Sequence, residues 1–230
     1  MDVTNIVLLV LEIIGTIAFT ISGAFCAIKA RLDVFGVLFI GTITAVGGGI
    51  VRDIIIGHTP PRIFYNYPIL IIAFATAIIA FIVASVLGKR FDGISLVVDK
   101  VNNIFDAIGL GAFSVIGTEI AFAENVFDNP LLAVILGVLT GVGGGVVRDV
   151  LTASTPYIFK KHVYAVASLV GAIAYYVIRL YVDYIWLPSM VGMILVIIIR
   201  LLATKYRWSL PKANLDMEYE PLFHPKKKGE

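Results

Sequence analysis

The sequence predicts an all-α integral membrane protein with seven transmembrane helices. Apolar residues make up 59% of its 230 residues, charged residues only 15%, and the mean hydropathy is +0.96. Soluble domains carry about 25% charged residues. The apolar residues also fall into runs of about 20, the length that crosses a bilayer. The lipid bilayer is therefore the expected partner, and a formal charge of only +2 gives no reason to expect a nucleic-acid partner.

Seven apolar segments qualify as spans, and polar segments such as RLD, HTPPR and GKRFDG separate them. The predicted spans are 5–28, 34–56, 63–88, 101–123, 129–151, 162–180 and 184–203. The N-terminal segment lacks the basic region of a signal peptide, so we expect it to remain as the first helix.

The distribution of basic residues predicts the orientation. All but three of the 18 Lys and Arg residues fall on one side of the seven spans, the exceptions being Arg52, Arg62 and Arg179. Because Lys and Arg accumulate on the cytoplasmic side, we predict a cell-membrane protein with its N-terminus outside and its C-terminus in the cytoplasm.

The sequence contains an internal repeat. EIIGTIAFTISGAF from Glu12 resembles DAIGLGAFSVIGTE from Asp106, and GTITAVGGGIVRDIIIGHTP from Gly41 resembles GVLTGVGGGVVRDVLTASTP from Gly137. Three helices per copy place the second copy upside down in the membrane, which makes the repeat inverted. The predicted units are 1–93, the inverted 94–181, a seventh helix at 182–204, and a polar cytoplasmic tail at 205–230.

Each copy carries three consecutive glycines in an apolar span, Gly47, Gly48 and Gly49 in the second and Gly143, Gly144 and Gly145 in the fifth. Glycine lowers helix stability by about 1 kcal/mol relative to alanine. Close helix packing is one explanation for glycine at these positions. Three successive positions sweep about 200° of a helix surface, more than one interface uses. We therefore predict a kink or a short unwound segment that lines a pore.

Charged and hydroxyl residues flank both glycine runs. Arg52 with Asp53, and Arg148 with Asp149, follow by one turn, either as pore electrostatics and gating or as ion pairs that fix the helix ends. Thr44 and Thr140 precede the runs, where a hydroxyl lines the pore or bonds its own helix. Further candidates for a polar lining are Thr16, Ser22, Ser114 and Thr118.

No chemistry beyond transport is indicated. Glu12, Asp106 and Glu119 lie toward helix ends, where we expect solvated interface positions. Cys26 is the single cysteine, and the three histidines are not clustered with acids in the sequence, so we expect no metal site and no cofactor. HExxH and the phosphate-binding GxxxxGK[ST] are absent, so we do not expect an enzyme.

GGGIVRD and GGGVVRD, each followed by a proline inside seven spans, resemble the prokaryotic members of the trimeric intracellular cation channel family, a group also labelled glycine transporters. The resemblance covers residues 5–203. It implies two inverted three-helix bundles plus a seventh helix, a homotrimer with one pore per protomer, potassium or sodium as the permeant ion, and second and fifth helices that bend at the glycines.

Three functions stay open at this point. A potassium-permeable channel is the first, and a secondary transporter of a small amino acid such as glycine is the alternative, because exposed amides at the glycines would bind a carboxylate. A membrane scaffold is the third, in which the glycine runs serve assembly alone.

Overall fold

The computed structural model describes residues 3–88, 95–156, 158 and 163–208, and every regular element in these ranges is helical. The all-α fold with seven α-helices is confirmed. They are α1 Val3–Lys29, α2 Val34–Ile55, α3 Tyr67–Leu87, α4 Ser95–Ala123, α5 Pro130–Leu151, α6 Tyr164–Arg179 and α7 Trp186–Lys205, with a short 3₁₀ turn at Arg62–Phe64.

Six of these helices are long and apolar enough to cross a membrane. The exception is α6, which has 16 residues and is about 24 Å long at 1.5 Å per residue. Residue 162, at which its predicted span begins, lies outside the described residues, as do 159–161, 89–94 and the tail from residue 209.

Asx caps fix where the two glycine-bearing helices begin. The Asp33 side chain accepts a hydrogen bond from the Gly36 amide at 2.8 Å, and that of Asn129 accepts one from the Leu132 amide at 3.1 Å. Pro130 occupies the first position of α5, where its missing N–H would have no helical partner. Each cap satisfies a backbone donor that the helix itself leaves open.

The packing follows the repeat. The centre consists of α1, α2, α4 and α5, while α3 packs on α1 and α2, and α6 packs on α4 and α5. Outside the repeat, α7 packs against α4 and α6. Exposed apolar side chains cover the outside of α3, as at Ile71, Ile79 and Val86, which suits contact with lipid.

Equivalent glycines make equivalent close contacts in the two halves. The Thr44 side chain lies against Gly23, and that of Thr140 lies against Gly117, so a Cβ at either glycine would overlap the hydroxyl. The rings of Phe19 and Phe113 pack together with their centroids 5.4 Å apart. Gly109 leaves room for the Phe19 ring, and Gly15 leaves room for the Phe113 ring. These small residues allow α1 and α4 to approach their neighbours closely.

The middle glycines of the two runs form the crossing of α2 and α5. A Cβ on Gly48 would overlap the carbonyl oxygen of Thr140, and a Cβ on Gly144 would overlap that of Thr44. A Cβ on Gly143 would lie 3.0 Å from the Gly48 Cα. The two backbones are therefore in direct contact, and the reciprocal pattern places this contact on the axis that relates the repeats.

Both glycine runs lie within continuous α-helix, α2 running through Gly47–Gly49 and α5 through Gly143–Gly145. The predicted short unwound segment is therefore wrong. The intrahelical hydrogen bonds occupy the carbonyls that unwinding would have freed, and backbone packing accounts for the middle glycine of each run. The bend at the glycines stays a prediction.

Gly48→Ala should destabilise the protein by about 1–3 kcal/mol, because the added methyl group meets a backbone carbonyl that has no rotamer to move into. The measurement is thermal unfolding of the detergent-solubilised protein. Gly49→Ala is the matched control, since its Cβ would meet only the Arg52 side chain at 3.6 Å. Equal melting temperatures for the two variants would contradict the backbone contact.

Candidate functional site

The crossing separates two polar regions at opposite ends of the bundle. We call the end where α1 begins and α2 ends the near side, and the other end the far side. The first glycine of each run also faces the crossing, whereas the third faces away from it. Gly49 lies at a cavity on the near side, while a Cβ on Gly145 would lie 2.8 Å from the Tyr164 hydroxyl on the far side.

The near-side cavity has a volume of about 260 Å³. It is bounded by α1, α2, α4, the start of α3 and the 3₁₀ turn, and it reaches Thr140 of α5 beside the crossing. Its charged and polar lining residues are Glu12, Thr16, Arg52, Asp53, Arg62, Asn66, Glu119 and Thr140. Three carboxylates thus face two guanidinium groups, which gives the lining an excess of negative charge.

Arg52 is held by its neighbour in sequence. Its Nε and Nη2 donate hydrogen bonds to Oδ1 of Asp53 at 2.9 and 2.7 Å, and the Arg52 side chain is buried. Oδ2 of Asp53 accepts the backbone amide of Arg62 at 2.9 Å. The ion pair therefore cancels the Arg52 charge and ties the end of α2 to the following loop.

A second cluster fastens that loop across the near side. The Arg62 side chain donates to Oε1 of Glu124, and the His58 ring lies 3.1 Å from Oε2 of the same carboxylate. Hydrogen bonds from His58 and then Arg62 lower the pKa of the Glu124 carboxyl below its ordinary 4.5. The end of α4 is thereby linked to the loop that closes over the cavity.

On the far side Arg148 is enclosed, and its side chain is 0% exposed among the described residues. Its Nε donates to Asp149 at 2.8 Å, and its Nη1 donates to Asp106 at 2.8 Å and to the Ser22 hydroxyl at 2.6 Å. The equivalent arginine of the first repeat lines a cavity, but Arg148 fills the space between α1, α4 and α5.

Arg200 of α7 completes the far-side cluster. Its Nη2 lies 3.5 Å from Asp106 and donates to Asn103 at 3.1 Å, and its guanidinium lies 4.7 Å from the centre of the Tyr164 ring. Two buried guanidinium groups thus share the carboxylates of Asp106 and Asp149. Buried charges are stable only when they are paired in this way.

The predicted hydroxyl residues separate into three environments. Thr44 and Thr140 donate to the carbonyls of Ile40 and Leu136, both at 2.6 Å, so each hydroxyl proton bonds its own helix. Thr140 and Thr16 lie at the near-side cavity, whereas Ser22 belongs to the far-side cluster. Thr16 and Thr140 therefore belong to the near-side polar region, and Ser22 belongs to the far-side one.

Ser114 and Thr118 occupy the third environment, the packed interfaces of α4. The Ser114 hydroxyl lies 2.6 Å from that of Ser168 on α6, and Thr118 donates to the Ser114 carbonyl at 2.9 Å. Neither residue is among those that line the near-side cavity.

The acidic residues assigned to solvated interfaces need correction. Asp106 is 0% exposed and Glu119 5%, and both accept hydrogen bonds from buried partners. The repeat alignment makes Asp106 equivalent to Glu12, but among the described residues only Asp106 pairs with the arginine of its own half, so the alignment did not reveal this ion pair. Arg200 has no counterpart in the alignment, because it lies outside the repeat. Among the described residues, no group of three or more His, Cys, Asp or Glu side chains could hold a metal ion.

Six long apolar helices, packed with a seventh around an intramembrane cavity and a buried charge cluster, define a multi-pass membrane protein. A family model described as "Glycine transporter" matches the chain twice, over residues 9–85 and 103–179, which supports the internal repeat. The chain belongs to this family, which is that of the trimeric intracellular cation (TRIC) channels. The family and the fold are those of channels and transporters.

Individual relatives agree over nearly the whole fold. The UPF0126 inner membrane protein YadS of Escherichia coli K12 is 39% identical over 210 residues, which is 90% of this chain and 96% of YadS. A solved structure from work on conductance through TRIC cation channels is 36% identical with a TM-score of 0.77, covering 90% of this chain and 98% of that one. The TRIC orthologue of Rhodobacter sphaeroides is 27% identical with a TM-score of 0.78, covering 88% and 99%.

Asp106→Asn should destabilise the fold by about 3–5 kcal/mol, because it leaves two buried guanidinium groups with one acid fewer. The free energy of unfolding in detergent measures this. Asp99→Asn is the control, since its ion pair with Lys29 is 52% exposed on the Asp side and is worth about 0–1 kcal/mol. A loss at Asp106 no larger than that at Asp99 would refute the role of the cluster.

The Glu124 cluster should give the protein an acid-sensitive contribution to stability. Because the folded pKa of Glu124 lies below its unfolded value of 4.5, the contribution is complete above that value and is lost as the pH falls through the folded pKa. Melting temperatures measured between about pH 5 and pH 3 should fall less steeply for Glu124→Gln than for the wild type. Parallel curves would contradict this.

Proposed function

We propose that this chain is a passive, potassium-permeable channel with one pore in each protomer of a homotrimer. The carrying observation is the near-side cavity, which is lined by three carboxylates and two guanidinium groups and ends beside the crossing of α2 and α5. A cavity with excess negative charge raises the local concentration of cations. The names of the similar structures, TRIC cation channels, support the same function.

The path would run from the near-side cavity, past the crossing, to the far-side cluster. Since Arg148 is fully buried between Asp106, Asp149 and Ser22, this conformation corresponds to a closed pore. Opening would require the cluster to rearrange and the two helices to move at the crossing, where the predicted bend at the glycines would act. With the N-terminus outside, the near-side cavity faces the exterior.

A secondary transporter of glycine is the second candidate, because the matching family model carries that description. The near-side cavity holds both guanidinium and carboxylate groups, as a zwitterion requires. A transporter predicts saturable uptake and exchange, whereas a channel predicts discrete current steps.

Planar-bilayer recording of the purified protein in a potassium gradient tests the proposal. We expect discrete steps that reverse near the potassium potential, and a changed conductance or open probability in Gly48→Ala with Gly144→Ala. Gly47→Ala is the matched control, because its Cβ would make only ordinary contacts of 3.7 Å or more and Gly47 does not line the near-side cavity. Absence of steps together with saturable accumulation of labelled glycine in vesicles would reject the channel in favour of the transporter.

A further inference from the structure

Thr16 lies at the near-side cavity with a hydroxyl that the protein does not satisfy. The residue is 1% exposed, and its Oγ1 is buried without a hydrogen-bond partner among the described residues. Thr44 and Thr140 bond the carbonyl four residues earlier, but Thr16 makes no such bond. A buried hydroxyl left without a partner is unfavourable, because it loses its hydrogen bond to water without a replacement. The Oγ1 atom has less than 1 Å² of accessible surface, so a ligand in the cavity would reach it through a rotation of the Thr16 side chain.

Glu12 lies one helical turn before Thr16 on α1, and both line the same cavity. Its two carboxylate oxygens receive only long contacts from the Asn66 amide nitrogen, at 3.4 Å each. The other two carboxylates of the cavity have strong partners: Arg52 binds Asp53, and Tyr175 donates to Glu119 at 2.5 Å. Glu12 is therefore the cavity carboxylate that no basic group of the described chain holds at ion-pair distance.

The donor set selects the ligand class. A carboxylate and threonine hydroxyls are hard oxygen ligands, which suit alkali and alkaline-earth cations. Divalent sites usually combine several carboxylates, whereas here a single one is uncompensated. A volume of about 260 Å³ also leaves room for water molecules that complete the coordination of the ion.

A zwitterion fits these contacts less well. Its carboxylate would need Arg52 or Arg62, yet Arg52 already binds Oδ1 of Asp53 and Arg62 binds Glu124. Its ammonium group would pair with Glu12. That contact would not release Arg52 from Asp53.

We propose that Glu12 and Thr16 form a binding site for one partly hydrated monovalent cation in the near-side cavity. Thr140 lies beside it as a further oxygen donor, and Asn66 contacts Glu12 through its amide nitrogen. If the channel function proposed above is correct, this is the site that an ion occupies before the crossing of α2 and α5.

The test is crystallography of the full-length protein in rubidium chloride, with anomalous scattering to locate Rb⁺. We expect a peak in contact with Glu12 and Thr16 that sodium chloride abolishes. Glu12→Gln should raise the Rb⁺ concentration for half-occupancy by about tenfold or more. Thr16→Val, which keeps the side-chain shape, should weaken the peak. Asp99→Asn should leave it unchanged, because that carboxylate pairs with Lys29 at the far side and does not line the cavity.

The absence of a peak in the wild-type protein, or a peak indifferent to both Glu12→Gln and Thr16→Val, would overturn the proposal. Glycine added to the crystals provides a further arm. Displacement of Rb⁺ by glycine bound between Glu12 and Arg52 would replace the cation site with a zwitterion site. Because occupancy is read without flux, a Rb⁺ site in a protein that conducts no current would support the site while refuting the channel.

Discussion

The direct contact between the backbones of α2 and α5 is the constraint on which the rest of the structure depends. Gly48 packs on the carbonyl of Thr140, and Gly144 packs on that of Thr44. Only glycine permits this distance, and the reciprocity of the contact fixes the relation between the two halves. As each helix continues past the crossing, its arginine emerges at the opposite end of the bundle. The position of the crossing thus determines where both charged regions form.

The same GGGxVRD sequence produces two different environments because the surroundings of the two copies differ. Around Arg52 the space between the helices is a cavity, and Asp53 alone holds the guanidinium. Around Arg148, α7 contributes Arg200 and α6 contributes Tyr164, and together they fill the equivalent region. An inverted repeat would give a symmetric path, and the helix added outside the repeat breaks that symmetry. The conduction path proposed above would therefore be open at one end and closed at the other in this conformation.

Much of the fold was predictable because a membrane restricts the choices. Helix number and the repeat follow from the lengths of apolar segments and from self-similarity, and the predicted ion pairs of Arg52 with Asp53 and Arg148 with Asp149 are present. The continuous helix through the glycine runs was not predictable, since such runs serve equally for unwinding and for close packing. The partners of the acids were also inaccessible: Asp106 meets an arginine 42 residues away, and Glu124 meets residues more than 60 positions earlier.

By itself the sequence determined that the protein lies in a lipid bilayer, how many helices it has and how they repeat. It also determined the residue types beside each glycine run. All of these are properties of short segments and of their order. Tertiary structure alone decided that the middle glycines pack at the crossing while Gly49 borders the near-side cavity. It also decided that Arg148 is enclosed, and that Glu12 and Thr16 line the near-side cavity without strong partners. The physical reason is that burial and charge pairing depend on which helices meet across the bundle. That arrangement is set by side-chain shapes on several helices together, and no single segment encodes it.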